Sequence, residues 1–451
     1  MSSSVEVSAS SHPRSSKTPP SPDRRDDPSL NAEKPYGTLV DAYGNEFKIP
    51  DFTVKQIRDA IPPECFQRSA LRGFGYVFRD LFLIGTTFYI FHTYVTPGAV
   101  PSYPARFALW SLYGFLNGLF ATGIWVLAHE CGHQSFSTSK VLNDTVGWVL
   151  HSSLLVPYFS WKISHGKHHK STGHMERDMV FVPRTRELFA KRIGVLVEDL
   201  SEVAEDTPIH SALYLIARQL LAWPLYLTAN NTGHNFHERQ SEGRGIGKRN
   251  GFFKGVNHFS PQSPLFDAKD AKLILLSDLG FAITGSILYY IGQTYGWRNL
   301  LVWYFLPYLW VNNWLVAITY LQHTDPSIPH YNSATWTFAR GAAATIDREF
   351  GFIGRHLFHG IIETHVVHHY VSTIPFYNAY KATEAIKPVM GEHYLANTKE
   401  GPIGFIKSAW KNVRWCQWVE PSAGAEGLGK DVLFYRNRNK LGTAPMNLKK
   451  N

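Results

Sequence analysis

Leu127-Ala128-His129-Glu130-Cys131-Gly132-His133, read LAHECGH, closes an apolar run, 107–128, that holds no Asp, Glu, Lys or Arg. The letters pull two ways. They match H-E-x-x-H, the helix of a zinc protease, in which Glu130 would be the general base beside a metal-bound water. The run itself is long enough to cross a bilayer, which takes roughly 20 apolar residues. The fold turns on which other residues His129 and His133 work with.

Three further stretches are free of Asp, Glu, Lys and Arg: 81–105, 279–297 and 299–324. Thr96 to Arg106 joins the first pair and carries three prolines; Gly296-Trp297-Arg298 breaks the second. The expected fold is therefore an all-α membrane protein. Its four transmembrane helices form two hairpins, at 81–103, 107–128, 275–297 and 299–321, with interfacial helices and a cytosolic helical cap. Residues 145–161 and 219–237 are also uncharged, but each carries a Pro. They are expected to lie in the interface.

The rest of the chain fits this frame. Residues 1–34 are rich in Ser, Pro and charge and should be a disordered tail; they lack the features of a signal peptide, so no cleaved leader is expected. Residues 35–78 read as a cytosolic lead-in, where Phe52–Ile61 has helical spacing and Pro62-Pro63 ends it. The membrane domain spans 79–445, and 446–451 is a short tail. Mean hydropathy is only −0.18, so the spans must carry a sizeable polar part. The net charge of +9 suits anionic lipid. No Lys/Arg stripe interleaved with aromatics appears, so no nucleic-acid partner is expected. Cys65, Cys131 and Cys416 form no C-x-x-C pair, which argues against a disulfide framework or a cysteine zinc site.

The 21 histidines are the unusual number. His129 and His133 stand at i and i+4. His165-Gly166-Lys167-His168-His169 and His365-Val366-Val367-His368-His369 both read H-x-x-H-H. On a helix, positions i, i+3 and i+4 share one face, so each box offers up to three imidazoles to one place. Eight such ligands exceed the needs of a single tetrahedral zinc and suit two metals. The boxes can meet only on one side of the membrane, which again puts 145–161 and 219–237 in the interface. The far-side loops carry only Arg106 and Arg298, so the box side and both termini should be cytosolic. His323, in Leu321-Gln322-His323-Thr324-Asp325, leaves the fourth span on the box side as a ninth ligand.

HECGH, HGKHH and HVVHH, with FTVKQIRDAIPPECF ahead and LQHTD between, resemble the membrane-bound acyl-lipid fatty acid desaturases. DMVFVPRTRE, EGRGIGKRNGFFKGVNHF, KDAKLILLSDLG and HHYVSTIPFYNA look like the fungal-type delta-12 (oleate) subgroup. The resemblance covers about residues 35–445. It implies two non-haem iron ions held by His129, His133, His165, His168, His169, His365, His368 and His369, with His323 matching an extra histidine. It further implies O2 as co-substrate, oleoyl chains on membrane phospholipid converted to linoleoyl, the endoplasmic reticulum membrane, and cytochrome b5 with its NADH-dependent reductase as electron donor. The boxes do not fix regiospecificity; delta-15 or omega-3 desaturases, bifunctional enzymes and acyl-lipid hydroxylases share them. An unactivated methylene has no acidic proton, so its oxidation requires a metal-borne oxidant. The chain offers no iron–sulfur cluster, no fused b5 segment and no dinucleotide fingerprint; Gly243–Lys248 lacks Walker spacing and reads as a loop.

In that setting Glu130, Asp178 and Asp325 are expected to accept ring N–H groups of ligand imidazoles. Cys131 is expected to be a small packed residue. His174, His234, His237, His356 and His359 are expected outside the ligand set, and Asp278 to face protein or headgroups. Asn143 and Asn230 head glycosylation sequons on the cytosolic side, where they should stay unmodified. An intramembrane metalloprotease shares LAHECGH but leaves the H-x-x-H-H boxes without a role. A zinc-storing receptor would not need triplets on three separate elements.

Overall fold

The computed structural model describes residues 36–194, 208–233 and 255–446. The N-terminal tail, most of 446–451, His234, His237 and Gly243–Lys248 lie outside them. The helices are α1 (Val54–Ala60), α2 (Ala70–Tyr94), α3 (Tyr103–Gly132), α4 (Lys140–Ser153), α5 (Tyr158–His169), α6 (Arg186–Ile193), α7 (Pro208–Ala229), α8 (Ala271–Tyr295), α9 (Trp297–Gln322), α10 (Phe338–Ala343), α11 (His365–Tyr370), α12 (Phe376–Met390) and α13 (Gly401–Trp415).

Among the described residues, four helices are long and apolar enough to cross a membrane: α2, α3, α9, and α8 with the short turn before it. The all-α membrane fold is thus the observed one. Helix bounds differ from the charge-free windows for local reasons. Helix α2 starts at Ala70, where the Ser69 side chain accepts from the Arg72 N–H, and stops at Tyr94, ahead of Pro97. It takes in Arg79 and Asp80, which a count of charges assigns to water. Asp80 is buried because Arg79 and His359 both bond it, at 2.6 and 2.9 Å. Helix α3 begins at Tyr103 behind a Ser102 cap. The uncharged run 145–161 does not form one helix. It breaks between α4 and α5, where Leu155 takes a positive φ of 53°, so neither piece can cross. Helix α7 packs on α9 and α13 rather than standing alone in lipid.

Helix α3 is the inner element. Its most apolar window is 72% buried, against 17% for α2 and 22% for α8. A helix apolar on every face is one meant for an interior, and α3 contacts α2, α4 and α9. The closest approach is at Gly118, where an added Cβ would lie 2.2 Å from the Trp310 Cβ.

The cap contains strands that no alternation in the sequence announces. β1 (His330–Tyr331), β5 (Val432–Arg436) and β4 (Trp418–Pro421) form an antiparallel sheet in that order. β2 (Asp347–Arg348) pairs in parallel with β3 (Ala396–Asn397). Box three sits on α11, and the two letters between its histidines explain how it is held. Val366 and Val367 are buried in a cluster with Ile57, Ala342, Ala382 and Ile386, so the opposite face presents the imidazoles.

Candidate metal centre

All nine expected histidines converge at the inner ends of α3, α5, α9 and α11, and all but His133 are buried, His133 being partly so. Nε2 atoms face each other at 3.0 Å in four pairs: His129 with His368, His133 with His165, His165 with His169, and His323 with His365. His168 and His323 stand at 3.3 Å. Two ligand groups result. One holds His129, His133, His165 and His368, with His169 beside His165; the other holds His168, His323 and His369, with His365 beside His323. His169 and His369 stack at 4.2 Å where the groups meet.

The residues fit two cations. A neutral imidazole nitrogen has one proton or one lone pair, so His165 Nε2 cannot satisfy both His133 and His169 by hydrogen bonding. His369 Nε2 is buried with no hydrogen-bond partner among the described residues. Metal–nitrogen bonds of about 2.1 Å place neighbouring nitrogens about 3.0 Å apart at right angles, the spacing seen here. Burial first, then neighbouring imidazoles, hold His133, His165, His169, His323, His365 and His369 well below the ordinary histidine value. They are neutral, which is the form that coordinates.

Burial alone does not pick these residues out. His151 and His258 are equally buried and pushed down to about 3, yet they bond the Trp125 carbonyl and the Ser164 hydroxyl. His359 is held by Asp80, and His356 is exposed on the surface.

The three expected carboxylate partners divide. Asp178 meets His168: Nδ1 lies 2.8 and 2.9 Å from its two oxygens, which leaves Nε2 bare toward the cluster. Glu130 bonds no imidazole among the described residues. It accepts from the Ser135 hydroxyl at 2.8 Å and the Phe376 N–H at 3.0 Å. One residue along a helix is a turn of about 100°, so Glu130 points away from the face that His129 occupies. Asp325 also turns aside, because Arg348 takes it at 3.0 Å. Two partners were not foreseen. Thr172 Oγ1 lies 3.0 Å from His369 Nδ1, and Trp161 stacks on His165 at 4.6 Å. Thr172 stands four residues after His168 and bonds its carbonyl, so helical spacing could have found it. Asn143 is fully buried and bonds Ser137 and Ser139, which is the bond set of a structural asparagine. Cys131 is buried in the apolar core, and Asp278 is half-buried.

Beside the cluster runs an apolar cavity. Trp125, Val126, Trp161, Trp223, Tyr226, Leu315 and Ile318 form much of its wall, and His129, His165, His168, His323 and His365 open onto it. A metal pair at the end of an apolar channel can oxidise a long hydrocarbon chain. The family model for fatty acid desaturases matches residues 106–400. The chain belongs to the fatty acid desaturase family. An oleate hydroxylase of Claviceps purpurea is 60% identical over 99% of this chain and 94% of its own length. Delta-12 fatty acid desaturases of Mortierella isabellina and Mortierella alpina are each 42% identical over 88% of this chain and 93% of their own. This desaturase-family member is therefore an oxidoreductase of membrane lipid-linked acyl chains, and its histidine clusters are of the kind that can hold metal.

Proposed function

We propose that this chain is a delta-12 desaturase converting oleoyl to linoleoyl chains on membrane phospholipid. His129, His133, His165, His169 and His368 would hold one iron ion, and His168, His323, His365 and His369 the other. When bound, the pair supplies the O2-dependent oxidising power that no side chain has. The balance is one CH2–CH2 unit, O2, two electrons and two protons giving one CH=CH unit and two waters. The observation that carries the reading is the junction of nine inward-facing imidazoles with an apolar cavity. The chain's own residues fix a methylene pair against the cluster, exclude water through Trp125, Trp161 and Trp223, and keep His168 in the ligating tautomer through Asp178.

The two electrons come from outside, from cytochrome b5 and its NADH-dependent reductase. The three cysteines stand free, too scattered for an iron–sulfur cluster. Arg106 and Arg298 alone on the far-side loops support cytosolic boxes and termini, and the membrane on this reading is that of the endoplasmic reticulum. The runs 145–161 and 219–237 lie in the interface on this reading.

The 60% identity to an oleate hydroxylase favours a second reading, insertion of a hydroxyl group into the same chain. Both reactions begin by breaking a methylene C–H bond and differ in whether a second hydrogen leaves. The test is fatty-acid analysis of a eukaryotic host that makes oleate but no dienes, with His368→Ala as control. New linoleate absent from the control supports the desaturase; a hydroxylated oleate supports the hydroxylase. Neither product, with the protein present at normal level, refutes both.

A further inference from the structure

Among the described residues that form the cavity wall, Arg218 is the one charged side chain, the histidines aside. It lies on α7, with its guanidinium 3.6 Å from the centre of the Tyr320 ring and Nη2 3.5 Å from the Tyr214 hydroxyl. Nη1 is buried without a hydrogen-bond partner among the described residues. Among the described residues no carboxylate pairs with it; the groups that weigh most on its charge are Tyr320 and Tyr214. Arg184 approaches the same Tyr214 hydroxyl and is itself partly desolvated. Both guanidinium groups thus approach one hydroxyl, that of Tyr214, and no carboxylate among the described residues pairs with either. Their field is visible on Tyr214: burial would raise its hydroxyl, yet Arg218 and Arg184 bring it down to about 8.

A guanidinium nitrogen buried without a partner is costly unless something anionic joins it. Its position indicates which anion. One end of the cavity holds the imidazoles. Arg218 stands where α7 packs against α9 and α13, and α13 presents Ile403 and Ile406 outward, as α7 does Leu213 and Ile216. Such faces sit in the interface, at headgroup depth. Guanidinium forks match phosphate oxygens in pairs, and phenol hydroxyls add donors.

We propose that Arg218, with Arg184, Tyr214 and Tyr320, binds the phosphodiester of the acyl-lipid substrate at the mouth of the acyl cavity. The inference rests on the lipid-oxidising reading above, and it makes Arg218 the residue that selects phospholipid over phosphate-free acyl carriers. It is tested by binding, so that it does not depend on turnover. The purified full chain in neutral detergent is titrated with dioleoylphosphatidylcholine, dioleoylglycerol and inorganic phosphate, each displacing a fluorescent phosphatidylcholine. The wild type should prefer the phospholipid over dioleoylglycerol by about ten-fold or more, as hydrogen bonds to a charged group would give. Arg218→Gln should bring that preference to within about two-fold, and Arg218→Lys should restore part of it. Arg184→Gln gives a second reading of the same ratio if Arg218→Gln does not fold. Four results overturn the proposal: no preference in the wild type, an unchanged ratio in the glutamine variants, both lipids weakened equally, or inorganic phosphate binding as tightly as the phospholipid. Product analysis of the same wild-type preparation reports separately on the lipid-oxidising reading.

Discussion

Replacing Asp178 by Asn changes one charge and almost no volume, and the hydrogen bonds around the carboxylate determine its effect. The Asp178 Oδ1 accepts from the Val180 and Phe181 N–H groups at 2.9 and 3.2 Å, and both carboxylate oxygens face His168 Nδ1. In Asp178→Asn the amide oxygen keeps the two backbone donors, which turns the NH2 group toward His168. Two donors then meet unless the imidazole moves its proton to Nε2. Nε2 is the atom that faces His323 and the cluster, and a protonated Nε2 cannot ligate. Loss of such a ligand-orienting partner costs about 10–100-fold in metal affinity or activity, or about 1.4–2.8 kcal/mol at 1.4 kcal/mol per ten-fold. That agrees with about 1.5–3 kcal/mol for a hydrogen bond to a charged group. The assay is iron per chain by elemental mass spectrometry after dialysis against graded chelator, with product formation measured on the same samples. A variant that keeps iron and activity within about two-fold of wild type would show that the Asp178–His168 contact only packs.

Further expectations are as direct. His323→Ala removes a member of the second group, so iron should fall from about two toward one per chain and product should vanish; full iron retention would remove His323 from the ligand set. Glu130→Gln should stay within about ten-fold of wild-type product, because Glu130 holds Ser135 and Phe376 rather than a reacting water; complete loss with iron retained would restore a general-base role. Ala222→Trp adds bulk to the cavity wall and should cut product about ten-fold or more while leaving iron in place. Burial pushes the Asp347 carboxyl up to about 7, against the pull of Tyr394 and the Val366 N–H. The folded chain then binds more protons than the unfolded one between the usual carboxylate range and that value, so stability should fall as pH rises through the window. Asp347→Asn should flatten the thermal-inactivation profile there; an unchanged slope would contradict the assignment.

What could be read in the letters was whatever is local. H-x-x-H-H states a helix face, and the two valines of HVVHH state the buried face opposite, so the imidazole set needed no tertiary knowledge. Asp178 lies ten residues from His168, close enough along the chain to be expected as its partner. Other features depend on contacts that no window contains. Asp80 is bonded by His359 across 279 positions, which is why α2 extends past the charge-free run. Asp325 is claimed by Arg348, 23 positions on. Strands β1 and β5 pair His330 with Leu433, a register that two-residue segments cannot announce. Glu130 differs in another way: adjacency in sequence suggests adjacency to the metal, whereas one step along α3 turns a side chain off that face.

Nine histidines are proposed to hold two iron ions beside an acyl cavity. Elemental analysis of the purified full chain, expressed with iron and zinc both available, tests this most directly. About two iron ions per chain with no stoichiometric zinc are expected, with their loss in His368→Ala. One zinc per chain with no iron would contradict the proposal and return LAHECGH to the protease reading.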